Sequence, residues 1–255
     1  MKTILIASKG RAGNSAILDE LNEAEEKNAY VFVEPQDEPE YRAAWPNLNM
    51  VVLDENDGGL PYVRNVMLTW AALNGMDWYW NLDDDVRLFE VVDEKTVARP
   101  YTALGEAEQY FVDDPEVGQA GLEYGQFAWS AGRDYVDESY CDCVVCNNVH
   151  HAISNKLVFD EESLLKLDRD FTLQVLKAGK TSRKIQRFCF TCPKNGSNKG
   201  GLYDEYQSGV EEKNSKYMEQ KWGSHICRAV TKKDGRKDVK IYWKNVRTTQ
   251  SFLDL

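Results

Sequence analysis

Trp78-Tyr79-Trp80-Asn81-Leu82-Asp83-Asp84-Asp85-Val86 reads as an aromatic strand that ends abruptly in three consecutive carboxylates. Like charges side by side repel, and each makes its neighbour harder to ionise, so the triplet calls for a cation. Mg²⁺ and Mn²⁺ take hard oxygen ligands, commonly one or two carboxylates completed by substrate phosphates. An Asp-x-Asp at the end of a buried strand therefore reads as a grip for a metal and a diphosphate. The plainer alternative is an acidic turn, since Asp is at home in turns.

The sequence on the N-terminal side favours the first reading. Residues 3–8, Thr-Ile-Leu-Ile-Ala-Ser, form a buried β-branched run that stops at Lys9-Gly10-Arg11. Asn14 suits the cap of a helix running to about Asn28. Residues 30–33 and 49–53 read as two further strands, ending at Glu34-Pro35 and at Asp54-Glu55-Asn56-Asp57-Gly58-Gly59. Pro61 suits the first turn of a helix to about Asn74, and Gly75 suits its stop. Strands alternating with helices imply an α/β fold with a mostly parallel sheet flanked by helices. Ligands in such sheets bind at the carboxyl ends of the strands. The loops after Ser8, Glu34, Asp57 and Asp83 all lie at that end, so four polar loops are expected to meet in one crevice.

The whole chain of 255 residues has a net charge of −11, but the charge is unevenly spread. Residues 1–170 hold 13 Lys and Arg against 34 Asp and Glu, and residues 171–255 hold 18 against 8. The basic C-terminal third is expected to face a polyanion or phosphates. The other reading is that the two halves attract each other. No apolar run is long enough for a membrane span. The opening apolar run is too short and too soon charged for a secretory signal, so a cytoplasmic protein is expected.

Residues 93–140 carry little pattern beyond a strand at 118–122. Residues 141–153 read as strand-like, with a polar Asn147-Asn148. Asp168-Arg169-Asp170-Phe171-Thr172-Leu173 with Lys177 and Gly179 has the charge order and stop of a helix. Cys143-x-x-Cys146 and Cys189-x-x-Cys192 have zinc-ligand spacing, but the apolar setting favours reduced core cysteines. A cytoplasmic setting argues against disulfides.

The order of these motifs resembles a GT-A nucleotide-sugar glycosyltransferase. The opening strand with Ser8 and Arg11 is similar to that family's donor-base loop. Gly58-Gly59-Leu60-Pro61-Tyr62-Val63-Arg64-Asn65 is similar to the helix start that precedes its Asp-x-Asp strand. The Asp168 segment resembles the helix start that supplies its catalytic base. A narrower resemblance, carried by Lys199-Gly200-Gly201 and Trp222-Gly223-Ser224-His225, is to the phage DNA glycosyltransferases associated with TET/JBP hydroxylases.

The resemblance implies a GT-A-like Rossmann-type core over 1–180, with a donor site in 1–90 and an acceptor and base region in 91–180. Residues 181–255 would be a basic C-terminal segment closing over both. It implies a Mn²⁺ or Mg²⁺ ion on Asp85, with Asp83 and His225 as further ligands. Either Asp83 or Asp84 would hold the donor ribose. Arg11, Arg64 and Lys199 would contact phosphates, Glu34 would read the base, and Ser8 and Gly59 would line the donor. Asp168 would be the general base, with Asp170 the alternate. The implied reaction moves a hexose or pentose from a UDP-sugar onto a hydroxymethylated pyrimidine in DNA, with inversion favoured over retention. Asn147, Asn148, Arg183 and Lys184 would meet the acceptor. Aromatic residues around 124–151 and 203–243 would stack on a flipped base. Two alternatives stay open: a glycan acceptor, and a sugar nucleotidyltransferase, for which Lys9-Gly10-Arg11-Ala12-Gly13 is a partial match.

Overall fold

Alternating large apolar side chains give the first strand two buried faces. In β1 (Thr3–Ala7), Ile4 and Ile6 point to one side of the sheet and Leu5 to the other. Burial on both faces is what a parallel strand covered by helices requires. The computed structural model describes residues 1–25, 28–128, 133–194, 196–197 and 199–248.

The chain continues through α1 (Ala16–Glu23), β2 (Ala29–Val33), α2 (Glu38–Ala44), β3 (Asn49–Val52), α3 (Gly59–Leu73) and β4 (Trp78–Asp83). Strands β3, β2, β1 and β4 lie side by side and parallel. Their carboxyl ends therefore share one edge. Helix α1 is shorter than expected and is capped by Ser15, whose hydroxyl accepts from the Leu18 amide, not by Asn14. Helix α2, not foreseen, starts with Pro in its first turn and buries Tyr41.

Then follow β5 (Arg87–Val92), β6 (Lys95–Ala98), α4 (Ala103–Ala107), β7 (Val117–Tyr124), α5 (Gly125–Ala128), β8 (Tyr135–Asp137), β9 (Val144–Asn148) and α6 (Val149–Ser154). The strand-like stretch from 141 is thus half helix: Asn148 ends the strand and caps α6 through its side chain. Helix α7 (Leu167–Lys177) and β10 (Thr181–Thr191) complete a ten-stranded mixed sheet in the order β3-β2-β1-β4-β9-β7-β10-β5-β6, with β8 beside β10. Helices cover both faces. One core joins Trp78, Trp80 and Leu82 to α1, α2 and Phe111; the other joins Leu5, Phe32 and Tyr79 to α3, α6 and α7. This is the expected GT-A-like α/β architecture.

Residues 181–191 lie inside that sheet, so a boundary at 180 would cut between β10 and α7. The chain ends in α8 (Tyr203–Gln207), α9 (Val210–Trp222), the antiparallel pair β11 (Cys227–Thr231) and β12 (Lys237–Ile241), and α10 (Lys244–Thr248). Met218, Trp222, Ile226, Val239 and Val246 pack with Leu173 and Leu176 of α7, forming a third core. Helix α7 is shared between this core and the sheet.

Candidate functional site

A cleft of about 280 Å³ opens at the carboxyl ends of β1 to β4. Ser8, Arg11, Glu34, Gly59, Arg64, Asp83, Asp84, Asp85 and Asp168 all line it. The four loops after β1 to β4 meet because the parallel strands end together, and Asp168, 160 residues after Ser8, joins them from the start of α7.

The three aspartates have different surroundings. Asp84 is buried; it accepts from the Ser8 hydroxyl, pairs with Arg11, and its carbonyl accepts from the Ser15 hydroxyl. Burial raises its pKa, opposed by Arg11 and Ser8. It knits β4 to the loop after β1. Asp85 meets the same guanidinium, 3.0 Å from Arg11 Nη1. Asp83 keeps a third of its side chain, 34%, open to the cleft and pairs with Arg64 Nη2 at 2.9 Å. Burial pushes Asp83 up to about 7; Arg64 opposes this, and Asp168 and Asp85 add to it. Of the two carboxylates expected to compete for the ribose, Asp83 is the one turned to the cavity.

Arg64 connects the two ends of the site. It projects from α3, is buried, and pairs with both Asp83 and Asp168. Burial works against its charge, but the two carboxylates outweigh it and hold it protonated. Asp168 stands in the first turn of α7, where a negative charge suits the helix dipole, with 28% of its side chain exposed. Asp170 points elsewhere. It is wholly buried and accepts from Trp222 Nε1 at 2.7 Å, Lys221 Nζ at 2.8 Å and Gln174 Nε2 at 2.7 Å. Asp170 does not line the cleft, and its bonds to Lys221 and Trp222 tie α7 to α9.

Other expected contacts fall outside the cleft. His225 sits exposed in the turn before β11 and does not line the cavity with Asp83 and Asp85. Lys199 meets Arg11 through its carbonyl, which accepts from Nε at 3.1 Å, while its side chain is exposed. Glu34 does line the cleft, but Lys9 and Gln36 already occupy both its oxygens. Asn147 is buried against Gln119, and Asn148 caps α6. Arg183 and Lys184 lie in β10, where Arg183 pairs with Asp137 of β8 and with Asp114 in the turn before β7, and Lys184 with Glu123 of β7.

The cleft's second wall was foreseen only in its aromatic residues. Asp142, Tyr124, Tyr140, Lys166, Arg169, Tyr203 and Tyr206 line it. Asp142 accepts from the Tyr124 hydroxyl at 2.7 Å, and Cys143, with φ of +56°, turns the chain just before β9. Tyr124, Tyr140, Tyr203 and Tyr206 fall in the aromatic stretches expected to stack on the acceptor, and Lys166 and Arg169 flank Asp168 in a charged helix start; Asp142 carried no sequence clue.

Among the described residues, no three His, Cys, Asp or Glu side chains close into a metal cage. Cys143 and Cys192 line the cleft while Cys146 and Cys189 are buried, and the four do not form a zinc site. Mg²⁺ rarely uses an all-protein cage, however, and takes carboxylates together with substrate phosphates. Asp83 and Asp85, both cleft-facing oxygen donors, fit that need.

The profile of the TET-associated glycosyltransferases matches residues 2–201. The chain belongs to the TET-associated glycosyltransferase family. No curated protein sequence matches it. Among solved structures, this family member is similar to S. aureus TarS 1–349 in complex with UDP-GlcNAc, at 15% identity and TM-score 0.53, covering 86% of this chain and 67% of that one. TarS 1–349 alone gives 16% identity and TM-score 0.52, covering 86% of this chain and 66% of that one, so the glycosyltransferase chain spans about two thirds of that relative. Glucosyl-3-phosphoglycerate synthase from Mycobacterium tuberculosis, in complex with Mg²⁺ and UDP, is similar at 8% identity and TM-score 0.53, covering 94% and 87%. At such identities the likeness is one of fold. No helix among the described residues is long and apolar enough to cross a membrane.

Proposed function

We propose that this protein transfers a hexose or pentose from a UDP-sugar to the hydroxymethyl group of a modified pyrimidine in DNA, 5-hydroxymethylcytosine first. The observation that carries this reading is the bridge Asp83–Arg64–Asp168, which holds a phosphate-end carboxylate and a base carboxylate in one cleft. The complexes of two structural neighbours with UDP-GlcNAc and with Mg²⁺ and UDP support a nucleotide-sugar donor.

Asp83 and Asp85 would hold Mg²⁺ or Mn²⁺, which when bound supplies charge neutralisation for the leaving diphosphate. Arg11 and Arg64 present guanidinium groups to the same end of the cleft and contribute to that neutralisation. Asp168 takes the proton from the acceptor hydroxyl as its oxygen bonds to the anomeric carbon. The bond from that carbon to the diphosphate oxygen breaks on the opposite side, and UDP departs. The configuration inverts. Tyr124, Tyr140, Tyr203 and Tyr206 offer ring faces around an extruded base.

The test is a transfer assay with a panel of sugar nucleotides, Mn²⁺ or Mg²⁺, and DNA with or without hydroxymethylcytosine. Nucleoside mass spectrometry is expected to show one added hexose or pentose on the modified base alone. Donor hydrolysis with no change to DNA would move the acceptor to a glycan. No donor turnover would sink the glycosyl-transfer reading.

A further inference from the structure

Four cations line the cleft beyond Asp168: Lys166, Arg169, Lys232 and Arg236. Three of them converge on one carboxylate. Lys166 Nζ lies 3.1 Å and Arg169 Nη1 2.6 Å from Asp238 Oδ1, and Lys232 Nζ pairs with Oδ2. Lys166 also meets Glu211 at 3.0 Å, and Arg236 meets Asp234 at 2.7 Å. Asp238 is buried and its pKa is depressed: burial works against its charge, but Arg169, Lys232 and Lys166 outweigh that.

Donors outnumber acceptors here. Two lysines and an arginine carry about eleven N–H donors between them. The oxygens that meet them among the described residues belong to Asp238, Glu211, Val239 and Tyr140. Asp238 thus acts as an internal counter-ion that holds like charges together without using all their donors. At the other end of the cleft the order is reversed, with Asp83, Asp84 and Asp85 meeting Arg11 and Arg64. The cationic end flanks Asp168 through Lys166 and Arg169, its neighbours in sequence, and is completed by the turn between β11 and β12.

We infer that Lys166, Arg169, Lys232 and Arg236 form an anion subsite for a phosphodiester of the acceptor strand, next to the nucleotide being modified. A base must touch the acceptor hydroxyl, so donors that flank Asp168 in sequence and pair with Asp238, Glu211 and Asp234, while Asp83, Asp84 and Asp85 pair with Arg11 and Arg64, are assigned to the acceptor and not to the leaving diphosphate. The inference rests on the proposed DNA acceptor. It replaces Asn147, Asn148, Arg183 and Lys184, which lie in the sheet, as the acceptor contacts.

Lys166 and Arg169 are too embedded for a clean test, whereas the Lys232 and Arg236 side chains are 43% and 50% exposed. Lys232→Ala and Arg236→Ala would be compared with Lys240→Ala, an exposed residue of β12 that does not line the cleft. Fluorescence anisotropy with a hydroxymethylcytosine duplex would be read across a salt series, and UDP affinity by calorimetry. Each cleft variant is expected to weaken DNA binding severalfold and to lower the salt slope by about one. Lys240→Ala is expected to do less. An equal effect from Lys240→Ala would reduce the cluster to diffuse basic surface and overturn the subsite. Loss of UDP affinity instead would give the cations to the donor and overturn it as well. If the unaltered protein neither binds nor modifies the duplex, the DNA reading falls and takes the subsite with it; if it modifies DNA while the cleft variants match the unaltered protein, only the subsite falls.

Discussion

Asp142 carries a protonation equilibrium that folding moves. Burial pushes its carboxyl up to about 6; Lys184 opposes this, Asp168 adds to it, and the Tyr124 hydrogen bond again opposes it. An unfolded aspartate titrates near 4 (about 3.9). Between those values the native state holds a proton that the unfolded chain has released, so stability falls as pH rises through that window. Asp142→Asn removes the titration and keeps the Tyr124 hydroxyl supplied with an acceptor. The difference in melting temperature between the variant and the unaltered protein is therefore expected to grow in the variant's favour from pH 4 to pH 6 (roughly the two pKa values) and to level off above. Parallel melting curves over that range would show that Asp142 titrates normally. Nothing in Cys141-Asp142-Cys143-Val144 announced this residue. It looks like part of a buried strand, and only the left-handed turn at Cys143, which delays β9 to Val144, frees it to face the cleft.

The loop that carries Gly200 packs on the loop after β1 through one backbone bond and one side-chain bond. Gly201 N donates to the Lys9 carbonyl at 3.1 Å, and Arg11 Nε donates to the Lys199 carbonyl at 3.1 Å. Gly200 has φ of +83°, and a Cβ there would lie 2.7 Å from the Lys9 carbonyl oxygen. Alanine would meet both a backbone clash and a conformation that L residues disfavour by about 1–2 kcal/mol. Gly200→Ala is expected to lift this loop off the β1 loop, weakening UDP affinity about tenfold, the equivalent of ~1.4 kcal/mol. The melting temperature should hardly move, because the loop's release leaves the cores intact. Unchanged UDP affinity in calorimetry would show that the loop does not shape the donor site. Elements with one dominant signal were legible in the same way as this loop: β1, β4, α3 and α7 appear close to where apolar runs, caps and glycine stops put them. The strand β10 was not, because Arg183, Lys184 and Arg187 belong to the basic stretch expected to face a polyanion, with Arg183 and Lys184 assigned to the acceptor. In the sheet their charges meet Asp137, Asp114, Glu123 and Glu90, and Tyr135 and Tyr140 cover Arg183 and Lys184. The hairpin of β5 and β6 was hidden too, since Asp93 and Glu94 both adopt positive φ without the glycine that usually marks such a turn.

Across the whole molecule, α7 joins the chemistry to the C-terminal unit, and two aspartates one residue apart divide that work. Phe171 and Val175 pack toward the sheet, while Leu173 and Leu176 pack toward α9 and β12. Asp168 reaches the cleft, whereas Asp170 collects Trp222, Lys221 and Gln174. The sequence distinguishes neither, because both suit a helix start. The end of the cleft built by Asp83, Asp84 and Asp85 was readable from strand ends alone; the end built by Lys166, Arg169, Lys232 and Arg236 was not, because it is assembled from α7, an irregular segment and a distant hairpin. The division predicts opposite phenotypes. Asp168→Asn preserves size and the link to Arg64, so the protein should fold and bind UDP while losing about 10²–10⁴ in turnover, the usual worth of a positioned base. Asp170→Ala leaves Lys221 and the Trp222 indole without their buried acceptor, at a cost of about 3 kcal/mol. That corresponds to a melting temperature lower by roughly 10 °C for a chain of this size. Its turnover per folded molecule at low temperature should fall far less than that of Asp168→Asn. Melting curves and single-turnover rates on both variants decide the matter. If Asp168→Asn keeps full turnover, or if Asp170→Ala melts normally and is inactive, the roles assigned to the two carboxylates are exchanged and the base must be sought on the side of α7 that faces α9.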